Sequence, residues 1–236
     1  MTDYKKMESQ LAERLGLERR PIAIAFRETA PPDVSKFEGT EPSSCSYWRL
    51  AAEGRTFYTV ASDHYNCPIG AYTHNIPLSA DRAHELEQML GVMINIGYMR
   101  MEEVPGIPRL SSTPTVVVYA PLGETPVDPD VVLFSGRPGK LMLLQEAAMR
   151  AGVASQLNTL SRPTCMALPA ALAMGMVAST GCIGNRVYTG IDDDDFYVAI
   201  RGMDVPRILA EAETIVSVNL TLLQYHRDRR QMLATE

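Results

Sequence analysis

Four cysteines, at positions 45, 67, 165 and 182, are where a chemical reading of this chain starts. A cysteine thiolate binds soft metals and attacks electrophiles, and it is stabilised where backbone N–H groups or positive charge face the sulfur. Cys45 follows Ser43 and Ser44, and Cys165 follows Pro163. Both are expected in the first turn of a helix, where free amides and the helix dipole favour the thiolate. Cys67 precedes Pro68, and Cys182 sits between Gly181 and Gly184. Both are expected in turns whose amides can point at a sulfur or an inorganic sulfide. Four thiolates suit tetrahedral zinc and a four-iron cluster equally by ligand softness. The chain has neither the close Cys-x-x-Cys pairs usual in zinc sites nor a ferredoxin run. Dispersed ligands are compatible with an enzyme-type cluster. Four unrelated buried thiols are the plain alternative, since free cysteine packs as a small hydrophobe.

The elements that would position these residues follow from apolar periodicity and turn residues. Residues 3–15 place Met7, Leu11 and Leu15 on one helical face, and Gly16 ends that helix. Short apolar runs predict strands at 21–26, 56–61, 115–119, 131–134, 176–179 and 196–200. A helix is expected from Cys45 to Gly54, capped by Ser43 or Ser44. Another begins after Ser79 and carries Leu86, Met89, Leu90, Met93 and Ile94 at helical spacing. Further helices are expected over 138–151, from about Cys165, and from Asp204 through Leu223. The fold class is α+β: mixed sheet covered by helices, in a single domain spanning 1–236.

The two halves of this pattern repeat. A strand at 21–26 precedes Cys45, then 60–62 (Val-Ala-Ser), then Cys67 and Gly70; a strand at 115–119 precedes Cys165, then 177–179 (Val-Ala-Ser), then Cys182 and Gly184. Tyr72-Thr73 follows the one and Tyr188-Thr189 the other. An internal duplication, 17–104 and 110–227, would bring two cysteines from each half together across a pseudo-twofold axis.

Several segments together resemble a known family. They are 21–26 (Pro-Ile-Ala-Ile-Ala-Phe), Ser44-Cys45 with Trp48 and Gly54, Asn66-Cys67-Pro68 with Gly70, Pro129-Asp130, Cys165, and 181–186 (Gly-Cys-Ile-Gly-Asn-Arg). The chain is similar, from about residue 20 to residue 227, to the family catalogued as domain of unknown function 169, found in archaea and many anaerobic bacteria. The resemblance matches Cys45, Cys67, Cys165 and Cys182 to the family's cysteines and implies a cluster-binding role for them. It carries over no reaction. If all four thiols bind, the cluster is closed and serves electron transfer or structure. With three, an open iron could act as a Lewis acid, Cys182 would be a catalytic candidate, and Arg186 would hold an anionic group.

Other residues have blander readings. His64, near Cys67, is the first-ranked histidine for carrying a proton, although a surface loop position is the simpler expectation. His74 shares that stretch. Tyr47 and Trp48 either wall the site or are plain core, and Met89, Met93, Met142 and Met174 read as packing. Residues 135–140 form a strand-to-helix turn in which Lys140 could face an anion, and the acidic run 192–195 reads as a solvated hairpin turn. Composition bounds the function: 46% hydrophobic and 21% charged residues fit a folded enzyme or binding protein. A net charge of -6 argues against a nucleic-acid partner. With no apolar run long enough to span a bilayer and no secretion signal, a cytoplasmic location is expected, where thiols stay reduced. The leading function is a [4Fe-4S] protein, a redox protein or an enzyme on a small molecule, with a small-molecule substrate or electron-transfer partner and a homo-oligomeric state in view. The rivals are a metal-free cysteine nucleophile, a zinc site, and a binding module whose cysteines only pack.

Overall fold

A computed structural model describes residues 2–234; Met1, Thr235 and Glu236, the ends of the 1–236 span, lie outside the described residues. Helix α1 (Tyr4–Leu15) buries Met7, Leu11 and Leu15, and Gly16 closes it in the left-handed conformation at φ 62°. Strand β1 (Ile22–Arg27) leads to α2 (Ser46–Ala52), β2 (Phe57–Val60), α3 (Pro68–Thr73) and α4 (Ala80–Asn95). Then come β3 (Val116–Pro121), β4 (Val131–Gly136), α5 (Pro138–Arg150) and β5 (Asn158–Leu160). The chain ends with α6 (Ala167–Met174), β6 (Met176–Ser179), α7 (Ile183–Thr189), β7 (Phe196–Arg201) and α8 (Val205–Leu233).

All seven strands form one mixed sheet in the order β2-β3-β1-β4-β7-β6-β5, antiparallel except for β5 beside β6. The fold is α+β. Strands β3 and β4 are unbroken apolar runs because helices cover the sheet on both faces, so neither side of the pleat meets water. Along β4, Val131 and Leu133 enter one core with Trp48 and Leu168, while Val132 and Phe134 enter the other with Leu11, Leu141 and Ile208. Helices α1, α5 and α8 cover the second face; α2 and α6 cover the first, and Cys45 and Cys165 belong to that first core.

The strand order is symmetric about the β1–β4 pair: β3 then β2 lie beyond β1, and β7 then β6 lie beyond β4. Cysteine-bearing turns flank β2 and β6 alike, with Cys45 and Cys67 around the one and Cys165 and Cys182 around the other. The place equivalent to β1 in this arrangement is that of β4. Strand β3, set against β1 in the sequence repeat, is instead its hydrogen-bonded neighbour.

Local departures from the expected pattern have physical causes. Cys67 and Cys182 do not sit in simple turns; each is the residue before a short helix, α3 and α7. Helices this short bury too few positions to leave a periodic signal, and three-residue β5 is too short to alternate. No side-chain bond caps α2, α4 or α8. The Asp204 carboxylate accepts instead from Arg201 at 2.7 Å and Arg207 at 3.3 Å. The acidic run joins α7 to β7 rather than two strands; Asp192, Asp193 and Asp194 are exposed, but Asp195 is buried, and Arg19 donates to Asp192 at 2.8 Å and to Asp195 at 3.1 Å. Lys140 reaches to Gly16 at the carbonyl end of α1, and 135–140 holds the end of β4 and the start of α5 rather than an anion cradle. No helix among the described residues is long and apolar enough to cross a membrane.

Candidate functional site

The four cysteines come together. Cys45 is the residue before α2, Cys67 the residue before α3, and Cys182 the residue before α7; Cys165 sits in the 3-10 turn that leads into α6. All four line one cavity of about 280 Å³. Their sulfurs are close enough to interact in every pairing: Cys45 with Cys67 and Cys182, Cys67 with Cys182, and Cys165 with all three. Cys45 and Cys165 are buried, at 6% and 2% exposure, whereas Cys67 and Cys182 are half-buried. The buried pair forms the floor.

Helix starts were expected to favour thiolates, but burial has the larger effect. Desolvation, followed by repulsion from the neighbouring sulfurs, raises the pKa of Cys45 and Cys165 far above the ordinary thiol value. Burial also raises Cys67, against hydrogen bonds that favour its thiolate. Cys45, Cys67 and Cys165 thus favour the protonated form, and a metal that bound them would release protons.

Each of these three sulfurs has polar neighbours suited to a thiolate. Cys45 is flanked by the Asn185 amide and by Ser43, and Cys165 by the Thr73 hydroxyl. Cys67 faces the backbone amides of Ser44 and Gly70 and the Ser44 hydroxyl. Asn185 is 2% exposed, and although it lies beside Cys45, neither of its amide atoms completes a hydrogen bond within the protein. An unsatisfied buried amide beside a sulfur fits a site with a missing partner. Positive φ at Gly181, 78°, turns the chain ahead of Cys182, and the Cys182 N–H then donates to Thr164 Oγ1 at 2.5 Å. That bond ties the two thiols of the second half together.

His64 is not a surface residue. It is 1% exposed and bridges Ser44, at 2.9 Å from Nδ1, to Thr59, at 2.8 Å from Nε2. Thr59 Oγ1 also donates to the Val117 carbonyl at 3.4 Å, and the Ser44 hydroxyl lies beside the Cys67 sulfur as well as the imidazole. Ser44 thus links His64 to Cys67. His74 is also 1% exposed; its Nδ1 donates to the Gly70 carbonyl at 2.7 Å.

Gly70 lies close against two residues of the site. A Cβ there would lie 2.9 Å from Cys67 Sγ and collide with the Ser44 side chain. Gly70→Ala is expected to force those two apart and cost about 1–3 kcal/mol of stability, the usual penalty of overpacking. Gly91→Ala, in α4 with no atom within 4 Å of an added Cβ, is expected to stabilise by about 0.5–1 kcal/mol through helix propensity alone. Urea unfolding of the two variants checks both signs.

Arg186 does not face the cavity as an anion holder. Its guanidinium donates to the carbonyls of Thr180, Asp192 and Asp195, at 2.6, 2.9 and 3.0 Å, and so braces the loop after α7 against the turn before Cys182. Trp48 and Tyr47 are core, at 1% exposure each, and Tyr47 donates to the Asp63 carbonyl at 2.7 Å. The methionines divide differently from expectation. Met142 and Met174 are exposed, while Met89 and Met93 of α4 line the cavity together with Tyr98 and Met99. Beside them Arg162 lies 4.7 Å over the Tyr98 ring and 3.3 Å from Glu103. The outer part of the cavity is thus apolar, with one ion pair at its wall.

Geometry also bears on which metal the thiols suit. Among the described residues no three His, Cys, Asp or Glu side chains are placed to hold a single metal ion. Zinc–sulfur bonds of about 2.3 Å would pull four sulfurs to within roughly 4 Å of one another.

Fold and site together define an α+β protein in which four dispersed cysteines from two topologically equivalent regions line one cavity. The chain belongs to the uncharacterised ArCR family, domain of unknown function 169, which it matches over residues 10–211. It is similar to the uncharacterised protein MJ0308 of Methanocaldococcus jannaschii, 24% identical over 218 residues that cover 84% of this chain and 89% of that protein. No solved structure matches it significantly.

Proposed function

We propose that this is an iron–sulfur protein of the cytoplasm in which Cys45, Cys67, Cys165 and Cys182 hold a [4Fe-4S] cluster at the inner end of the cavity. One observation carries the reading: residues separated by as much as 137 positions (45 to 182) converge as four thiols on a single cavity. Thiolates are the ligands such clusters take. Such a cluster supplies one-electron transfer or, where one iron is open, Lewis acidity. The chain's own residues hold the sulfurs, aim amides and hydroxyls at them, and keep water from the floor. Hydrogen bonds to ligating sulfurs of the kind Ser44, Gly70 and Asn185 offer raise a cluster's potential by stabilising the reduced state's negative charge. The apolar outer wall of Met89, Met93 and Tyr98 suits a small, largely uncharged substrate or the surface of a redox partner.

Raised thiol pKa values disfavour the metal-free nucleophile reading for Cys45, Cys67 and Cys165. Cys182 is left as the accessible candidate for that role. Anoxic reconstitution with iron and sulfide tests the proposal. The expected result is a brown protein with broad visible absorption and about four irons and four sulfides per chain. A colourless product without iron, in which iodoacetamide labels Cys182 alone and abolishes an activity, would replace it with the nucleophile reading.

A further inference from the structure

Helix α8 presents a surface unrelated to the cysteines. Its first part is anchored: Val205, Ile208, Leu209 and Ala212 are buried, and the helix packs on α5 and α1. Beyond Asn219 every described residue of α8 is exposed, so about 20 Å of helix stands clear of the body at 1.5 Å per residue. A helix of that length is marginal in water without cover. This one is also apolar: Val218, Leu222 and Tyr225, at i, i+4 and i+7, are 45%, 49% and 54% exposed, and Leu220 and Leu223 add 61% and 44%.

The charge pattern indicates what covers it. Residues 214–225 include no charged side chain. Glu211 and Glu213 precede this stretch; Arg227, Arg229 and Arg230 follow it, with Asp228 among them. We propose that α8 is a homodimer interface in which the helices of two copies pack antiparallel about a twofold axis near Asn219 and Leu220. That axis lays one uncharged stretch on the other. At about 100° per residue Glu213, Leu220 and Arg227 lie on one face of α8, and that axis sets Glu213 of each copy beside Arg227 of the partner copy. Parallel pairing would set arginines against arginines instead. Glu213 pairs with Arg14 at 3.2 Å in its own chain yet stays 76% exposed, open to a second cation. The contact uses the same patch on both copies, so it closes at two.

Sedimentation equilibrium of the full chain at micromolar concentration tests this. The expected mass is twice 26.0 kDa. Leu220→Glu with Leu223→Glu is expected to give a monomer with unchanged far-ultraviolet circular dichroism. Arg227→Glu is expected to weaken association about tenfold at low salt, and adding Glu213→Arg to recover most of that loss. A wild-type monomer, or a dimer indifferent to these substitutions, overturns the proposal. So does a monomer that co-sediments with phosphatidylglycerol vesicles but not with phosphatidylcholine vesicles, which would assign the apolar and basic end of α8 to a lipid surface.

Discussion

Replacing Cys165 with serine is expected to take iron in the reconstituted protein from about four per chain to near none. Cys165 is the most deeply enclosed of the four thiols, at 2% exposure, and it interacts with each of the other three sulfurs. A hydroxyl is a harder, far less acidic ligand than a thiol and does not hold a soft iron site at neutral pH. Cys45→Ser and Cys67→Ser are expected to do the same. Cys182→Ser is the informative case, because that thiol is half-buried at the cavity. Loss of iron there means four protein ligands; retention of a cluster with an altered spectrum means three, and an iron open to substrate. Urea unfolding of the metal-free variants separates ligation from packing. Serine at the floor costs about 1–3 kcal/mol for an under-satisfied buried hydroxyl, whether or not a cluster ever binds. If all four serine variants keep full iron, the cysteines are not its ligands.

The sequence was most legible where burial imposes a period. Strands such as Val131–Gly136 and helix α1 are repetitive enough for the apolar pattern to place them, and the one-sheet α+β class follows from their alternation along the chain. The cysteines were legible as a set because unlike positions shared a rare residue type and similar neighbours. Their meeting was legible only through the repeat and the family resemblance, since nothing in a local pattern reports that residues 45 and 182 come together. The polar support was least visible. Ser44 reads as a helix cap from its position before Cys45, yet its hydroxyl goes to His64 and Cys67. His64 reads as a loop residue because its burial depends on Thr59 and Tyr47, which close over it from β2 and α2. Asn185 had only its place in the Gly-Cys-Ile-Gly-Asn-Arg segment to recommend it. Methionines of α4 were read as packing because periodicity shows an apolar face without showing that the face borders a cavity.

Acid is expected to destabilise the protein well before its surface carboxylates titrate. His64 and His74 are both 1% exposed, with ring centroids 5.2 Å apart. Burial lowers the pKa of each, His74 to about 4, and the charge that would form on His74 lowers His64 further. In the unfolded chain a histidine titrates near 6.5, so below that pH the unfolded state binds protons that the native state refuses. The stability these neutral rings preserve is therefore complete above about pH 6.5 and is lost as the pH falls toward the folded-state values. For His74 alone the loss is about 2 kcal/mol at pH 5, from roughly 1.4 kcal/mol per pKa unit, and His64 acts in the same direction. Protonation would make both ring nitrogens donors and upset the hydrogen bonds to Thr59 and Ser44, so the accessibility of Cys67, beside Ser44, is expected to rise with the loss of stability. Urea midpoints of the metal-free protein at pH 7.5 and pH 5 measure the effect, with His74→Gln, which can still donate to the Gly70 carbonyl, as the comparison. A pH slope that survives unchanged in His74→Gln would assign the acid sensitivity to other groups.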